Sequence, residues 1–365
     1  MQVKEIRFDT VNQELYSNIN VIYGAGYNGK LLFGLCNENH VAVAAFYDDD
    51  EGRWGEAYCT KNVISKAELM ALDKNTTNIL VANQYTGQIV EKVINLGFKN
   101  IYTVLDRIVE RDTEVFRFYE YSNNKEYHEK LHNLINSGFD RETRRYFEII
   151  KKTVLHGKAI REISNLYCTE TQYFLDCFQG VIDKRNFIDA GAYTGDTLRT
   201  MVEKGICFPK VYSFEADINN YAKLERYVKK QGKNIHCKCE NYALWDMHTK
   251  LGIELGNFQS KVGIGKDAAV EAVTIDEYFE TINVGFIKMD IEGAERKALA
   301  GGMNVIKRDR PILAISIYHS LDDIVEIPRM LMDELDEYDF FVRKHADTYA
   351  EAILYAVPEE LNIKH

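Results

Sequence analysis

The sequence predicts an α/β chain built of two doubly wound, Rossmann-like domains joined by a helical segment. Three observations lead there. Residues 20–35, "NVIYGAGYNGKLLFGL", and residues 187–201, "FIDAGAYTGDTLRTM", each run as a short apolar strand into a glycine-bearing turn and then a helix. Around each of them strand-like runs alternate with helical patterns, a spacing that requires crossover connections and therefore parallel strands. Between them the period becomes purely helical.

Bulk properties agree with this division. A chain of 365 residues exceeds one ordinary core. Its 46% hydrophobic and 28% charged residues, with 4 Pro and 23 Gly, are those of a globular protein. A net charge of −11 argues against nucleic acid as a partner, since phosphate binding requires clustered Lys and Arg. Without an apolar run of about 18 residues or an apolar leader at the start, the expected location is the cytoplasm, with no membrane span. Seven scattered cysteines fit reduced thiols there. Cys237 and Cys239 in "HCKC" share a strand face but have no second ligand pair, and no metal is expected.

The first domain is assigned residues 1–105. "NVIYGAG" is a strand and turn, "KLLFGLCNEN" a helix, "VAVAAFYDDD" a strand ending in acids and "SKAELMALD" a short helix. "TNILVAN", "GQIVEKVINLG" and "NIYTV" follow as strand, helix and strand. Residues 106–184 form the helical connector, in which "EYHEKLHNLINSGF" and "RETRRYFEIIKKTVLHG" are amphipathic helices, the first ended by Gly138. "TETQYFLDCF" reads as an aromatic helix face, either core or a cover for the following domain. In residues 185–365 strands and helices alternate again, through "KVYSFEAD", "IHCKCENYALW", a looser strand-rich region, "VGFIKMDIEG" and "PILAISIYH". The hairpin "DFFVRKH" and "EAILYAVP" closes a count of seven strands.

Gly24, Gly26 and Gly29 give "GAGYNG" the GxGxxG spacing, and Asp48 falls 19 residues after Gly29 at a strand end, where an acid can take ribose hydroxyls. The same glycines also serve tight strand-to-helix packing, so a second nucleotide site and a plain scaffold both remain open. This domain resembles the small Rossmann-like domain preceding the left-handed β-helix of bacterial sugar O- and N-acyltransferases. That resemblance implies a nucleotide or nucleotide-sugar ligand.

The second turn, "DAGAYTGDT", lacks the compact glycine spacing and suits a ligand without pyrophosphate. An amino-acid group fits, its ammonium on Asp189 and its carboxylate on the amides of Gly191, Tyr193, Thr194, Gly195, Asp196 and Thr197. Glu215, 20 residues after Gly195, is placed to hold two ribose hydroxyls, and Asn241 and Ala243 lie where an adenine edge would follow. Amino acid, ribose and adenine in that order describe S-adenosylmethionine.

"FIDAGAYTGDT", "SFEAD", "YALWD", "FIKMDIEGAERKALAGG" and "ISIYHSLDDIVEIP" together resemble the FkbM family of S-adenosylmethionine-dependent O-methyltransferases, from near Thr169 to Pro358. The resemblance implies a seven-stranded class I methyltransferase sheet. It also implies methylation of a hydroxyl acceptor, with a sugar, nucleotide sugar or glycan precursor as the expected class. A homodimer is compatible with it.

Such a reaction needs alignment, exclusion of water and a base within reach of the hydroxyl. Asp290 and Glu292 in "KMDIEG" and His319 in "IYH" end neighbouring strands and are the candidate catalytic residues. The two acids could also hold a divalent cation given a third ligand. The alternative is that Glu292 caps a helix and His319 is a satisfied loop histidine. Lys288 is expected to pair with an acid.

Two other function classes compete. "HEKLH", residues 128–132, matches the zinc-hydrolase pattern HExxH, but its flanks are polar and Glu148 stands without a supporting motif. A non-catalytic two-domain nucleotide-binding protein is the other rival.

Overall fold

In the strand Ile19–Tyr23, Val21, Ile22 and Tyr23 are buried apolar residues and Asn20 is a buried polar one, and the strand pairs on both sides, so its alternate residues feed two different cores. Val21 and Tyr23 join Ile79, Val81 and Val93 on one face, while Ile22 joins Leu32, Phe46 and Leu80 on the other. A strand buried on both faces belongs in the middle of a parallel sheet, and that is where it lies. The structure, a computed structural model, describes residues 4–6, 13–82, 86–103, 118–157, 161–182, 185–232, 235–255, 260–263, 268–346 and 348–364. Contacts divide the chain into one unit of residues 1–119, 156–169 and 346–350, and a second of residues 120–155, 170–345 and 351–365.

In the first unit β1 (Lys4–Glu5), β2 (Ile19–Tyr23), β3 (Ala45–Tyr47), β4 (Ala57–Tyr58), β5 (Lys61–Ile64), β6 (Thr77–Val81) and β7 (Asn100–Thr103) make one sheet. Its order is β1-β7-β6-β2-β3-β5-β4, parallel except for the β4–β5 hairpin. The strand read from "VAVAAFYDDD" is confined to its centre, and the small hairpin was not foreseen. Beyond β7, residues 104–117 fall outside the described residues.

The second unit holds β8 (Phe187–Ala190), β9 (Val211–Phe214), β10 (Cys237–Glu240), β11 (Ala243–Leu244), β12 (Thr249–Leu255), β13 (Ser260–Gly263), β14 (Ala268–Val273), β15 (Phe286–Met289), β16 (Ile312–Ser316), β17 (Tyr338–Lys344) and β18 (Ala352–Pro358). The main sheet runs β10-β9-β8-β15-β16-β18-β17, with β18 antiparallel to both neighbours. This is the expected seven-stranded α/β sheet with its closing hairpin. The loose strand-rich stretch resolves into a separate sheet, β11-β14-β12-β13.

An aromatic core beneath the sheet anchors its central strands. Phe187 of β8 stacks on Phe208 at 4.7 Å and meets Phe286 of β15 edge-on at 5.5 Å. The helix Lys125–Ile135 ends earlier than Gly138, because Asn136 turns its side-chain amide back to donate to the His132 carbonyl at 2.7 Å. It and the helix Arg141–His156 are tied into this unit: Tyr127 Oη donates to the Leu321 carbonyl (2.8 Å), and the Val342 amide donates to Thr143 Oγ1 (2.8 Å). "TETQYFLDCF" is not an aromatic helix. Tyr173 takes a left-handed φ of 67°, and only Asp176–Phe178 coils, as one 3₁₀ turn. Among the described residues no helix is long and apolar enough to cross a membrane.

Candidate active site

The turn after β8 is shaped by its neighbour strand. Gly191 has φ 76°, and a Cβ there would stand 1.8 Å from the Asp290 carbonyl, so only glycine lets the turn lie on the end of β15. Beneath it, Lys288 Nζ donates to the carbonyls of Gly191 (2.6 Å) and Ala190 (3.2 Å) and pairs with Asp189 Oδ1 at 3.1 Å. Asp189 therefore does not present its carboxylate to a ligand's ammonium as expected: it is 0% exposed and balances a buried lysine that fixes the turn. Burial works against the ammonium of Lys288, but Asp189, Asp290 and Asp196 outweigh it and keep its pKa above the ordinary value.

Beyond that support the predicted cofactor residues gather as a turn and its acid. Gly195 (φ 90°) precedes the helix Asp196–Lys204, Tyr193 and Asp196 are exposed, Thr194 is half-buried, and the carbonyl of Thr194 accepts from Arg199 (3.0 Å). Thr197 is buried, and its hydroxyl makes no hydrogen bond among the described residues. Glu215 Oε2 accepts the Tyr193 amide (2.7 Å) and Oε1 accepts that of Asp217 (2.9 Å). Burial pushes this carboxyl up to about 7 against the pull of those two amides. Each oxygen keeps a lone pair, so the group suits two further donors such as a ribose diol. Asn241 acts one step back, its amide donating to the carbonyls of Glu215 (2.8 Å) and Ala216 (3.1 Å). Ala243 is 4% exposed and packs with Trp245 and Leu251, which makes it core rather than an adenine contact.

The three candidate catalytic residues converge. Asp290 follows β15, and its Oδ2 accepts from Tyr173 Oη at 2.8 Å, with Tyr318 Oη at 3.3 Å from Oδ1. His319 Nε2 lies 3.2 Å from Asp290 Oδ1 and 3.3 Å from Glu292 Oε2, and Nδ1 lies 3.0 Å from Glu295 Oε1. Burial alone would push the imidazole down. The carboxylates of Glu295, Asp290 and Glu292 reverse this and hold it well above its ordinary pKa. An imidazole so surrounded holds its proton more firmly than a free one, which weakens it as a proton acceptor. Asp290 is held below the usual carboxylate range: burial raises it, but His319, Lys288 and the Tyr173 hydroxyl prevail.

Five participants were missed, among them Tyr318, the neighbour of His319. Tyr173 and Gln172 arrive from the segment read as an aromatic helix, and Gln172 Nε2 donates to Glu351 Oε2 at 2.6 Å. Burial, with Asp290 nearby, pushes Glu351 up to about 7. Glu295, wholly buried behind His319, was visible only as one more acid in "DIEGAE".

At the first turn, Gly24 has φ 110°, and a Cβ on Gly29 would stand 1.9 Å from the Gly24 carbonyl, whereas Gly26 faces open space. Asp48 Oδ2 accepts the Ala25 amide (2.8 Å) and Oδ1 that of Asp50 (3.0 Å). The HEKLH residues do not converge: His128 Nε2 faces the Ser122 carbonyl (3.0 Å), while Glu129 and His132 are exposed. Cys237 and Cys239 lie with sulfurs 3.9 Å apart on edge strand β10, and no disulfide is formed among the described residues.

A strand order with one antiparallel member, a glycine turn with an acid at the next strand end, and carboxylates beside it define a methyltransferase-type α/β domain. Residues 189–342 match the methyltransferase FkbM domain. The chain thus carries an FkbM domain and is an S-adenosylmethionine-dependent methyltransferase. The crystal structure of the methyltransferase FkbM from Methylobacillus flagellatus KT is similar in fold, with TM-score 0.57 and 18% identity over 96% of this chain and 92% of that one. An rRNA methylase from Streptococcus thermophilus (TM-score 0.33, 13% identity) covers 49% of this chain and 89% of its own. Aeropyrum pernix fibrillarin with bound S-adenosyl-L-methionine (TM-score 0.31, 16% identity) covers 47% and 66%. No curated protein matches the sequence.

Proposed function

We propose that this domain methylates a hydroxyl group, and that the acceptor is a sugar, nucleotide sugar or glycan precursor in the cytoplasm. One observation carries the reading: the carboxylate of Asp290, flanked by the Tyr173 and Tyr318 hydroxyls, belongs to the residue whose carbonyl shapes Gly191. Donor turn and acceptor groups are thereby built as one piece. The carbohydrate class is supported by the family resemblance and by the nucleotide-binding pattern of the front domain.

S-adenosylmethionine supplies a methyl group activated by a sulfonium. The residues of this chain supply position and proton management. Glu215 would take the ribose hydroxyls and the turn amides the amino-acid carboxylate. Asp290, with its anionic form favoured, orients the acceptor hydroxyl and draws its proton as the oxygen becomes bonded to carbon, with Glu292 as the second acid within reach.

Incubation with labelled S-adenosylmethionine and a panel of nucleotide sugars should place label on a sugar oxygen. Label confined to protein or to small non-sugar alcohols would contradict the acceptor class. Asp290→Asn should lower kcat by about 100-fold or more and leave cofactor affinity nearly unchanged. If it abolished cofactor binding instead, the acid would belong to the donor site.

A further inference from the structure

We propose that Asp290, Glu292 and His319 bind one divalent transition-metal ion through Oδ1, Oε2 and Nε2, with Glu295 fixing the imidazole from behind. The three donors come from the ends of β15 and β16, and His319 Nε2 stands at a ligand-to-ligand separation from each of the two carboxylates. His319 Nε2 is 3.2 Å from Asp290 Oδ1 and 3.3 Å from Glu292 Oε2. Ligands about 2.0–2.2 Å from a common ion lie about 3–3.5 Å from one another, whether the geometry is octahedral or tetrahedral.

The second, independent sign is the state of the imidazole. The His319 side chain is 4% exposed, yet neither ring nitrogen makes a directed hydrogen bond among the described residues, and neither does Glu292 Oε2. Buried polar atoms are almost always satisfied. Two such atoms 3.3 Å apart, beside a carboxylate oxygen, ask for a shared partner rather than for each other. Asp290 is arranged to match. Tyr173 occupies Oδ2 at 2.8 Å, and Oδ1 is left with the longer 3.3 Å approach of Tyr318.

Glu295 completes the arrangement. Its Oε1 accepts the Ile291 amide (2.8 Å) and stands 3.0 Å from His319 Nδ1, which is the carboxylate–histidine relation that orients a metal-binding imidazole. One imidazole with two carboxylates suits Mn²⁺, Fe²⁺ or Zn²⁺ better than Ca²⁺ and leaves positions for water or an acceptor hydroxyl. An ion there would lower the pKa of a coordinated hydroxyl. That purpose rests on the methyl-transfer reading, whereas the binding itself does not. The rival state is an imidazolium held by three carboxylates with no need of an ion.

The test titrates Mn²⁺ alone into chelator-treated full-length protein, following free Mn²⁺ by electron paramagnetic resonance, with Zn²⁺ calorimetry in parallel. One saturable equivalent is expected. Glu292→Gln and His319→Asn should each weaken binding at least tenfold, and Glu295→Gln by about 10–100-fold, while Asp48→Asn leaves it unchanged. Thermal melts report whether each variant folds, and Glu292→Gln, with its side chain 30% exposed, carries the test if His319→Asn does not. Non-saturable binding, or full binding by both ligand variants, overturns the proposal. S-adenosylmethionine calorimetry on the same metal-free protein separates the two readings: ion binding without cofactor binding leaves the site standing and removes the methyl-transfer reading.

Discussion

The two glycine turns are built on one plan and equipped differently. In each, a strand enters a left-handed glycine, and an acid from the next strand end holds one turn amide and the amide two residues beyond itself. Asp48 does this with Ala25 and Asp50, and Glu215 with Tyr193 and Asp217. The difference lies in the neighbouring strand. The first turn approaches the carbonyl of Ala82, whereas the second rests on the Lys288–Asp189 pair and on Asp290. A glycine turn with its acid is thus a reusable support. The chemistry comes from what the adjoining strand places beside it.

Breaking each turn should show this most sharply. Gly191→Ala forces a Cβ to within 1.8 Å of the Asp290 carbonyl at a left-handed φ, and should cost about 2–5 kcal/mol and abolish S-adenosylmethionine binding. Gly29→Ala meets a similar clash at 1.9 Å and should destabilise its own unit while cofactor affinity stays within about twofold, as calorimetry and melting would show.

Next in size is the buried pair. Lys288→Met leaves Asp189 uncompensated and should cost about 3–5 kcal/mol by denaturant unfolding. Adding Asp189→Leu should restore most of that stability. Cofactor affinity should stay low in the double variant, because the bonds to the Gly191 and Ala190 carbonyls are still missing. Full recovery of affinity would mean the lysine serves the fold alone.

A smaller effect follows from Glu215, raised to about 7 by burial, with Lys288 pulling it down and Asp217 pushing it up. A carboxyl raised in the folded state binds its proton more tightly there than in the unfolded chain. It therefore stabilises the unliganded fold at low pH, and that stability falls as pH rises from the ordinary carboxylate range through about 7. Ribose donors favour the charged form, so affinity runs the opposite way. Methylthioadenosine, which lacks the amino-acid charges, should bind about tenfold more tightly at pH 8 than at pH 6, and Glu215→Gln should erase that slope. Asp48→Asn should do least, shifting stability by about 1 kcal/mol with no change in cofactor affinity.

Much of this was legible in the sequence because it is local. The strand, turn and helix of each domain follow from apolar runs and glycines, and placing Asp290, Glu292 and His319 at neighbouring strand ends needed only the rule that ligands gather there. What was hidden is non-local. Tyr173 reaches Asp290 across 117 residues of sequence, and no period in "TETQYFLDCF" announces that. Asp189 looked like a ligand because a strand-end acid often is one. The correcting signal was Lys288, a charge inside the apolar run "GFIKMD", which had to be paired internally. The carboxylate behind His319 Nδ1 is that of Glu295, whose burial no spacing could disclose.

A crystal structure with S-adenosylhomocysteine tests the central claim most directly. The account predicts ribose hydroxyls on Glu215 and the sulfur facing Asp290 and Tyr173. Adenosine seated at Gly24, Gly29 and Asp48, or a sulfur directed away from Asp290, would contradict it.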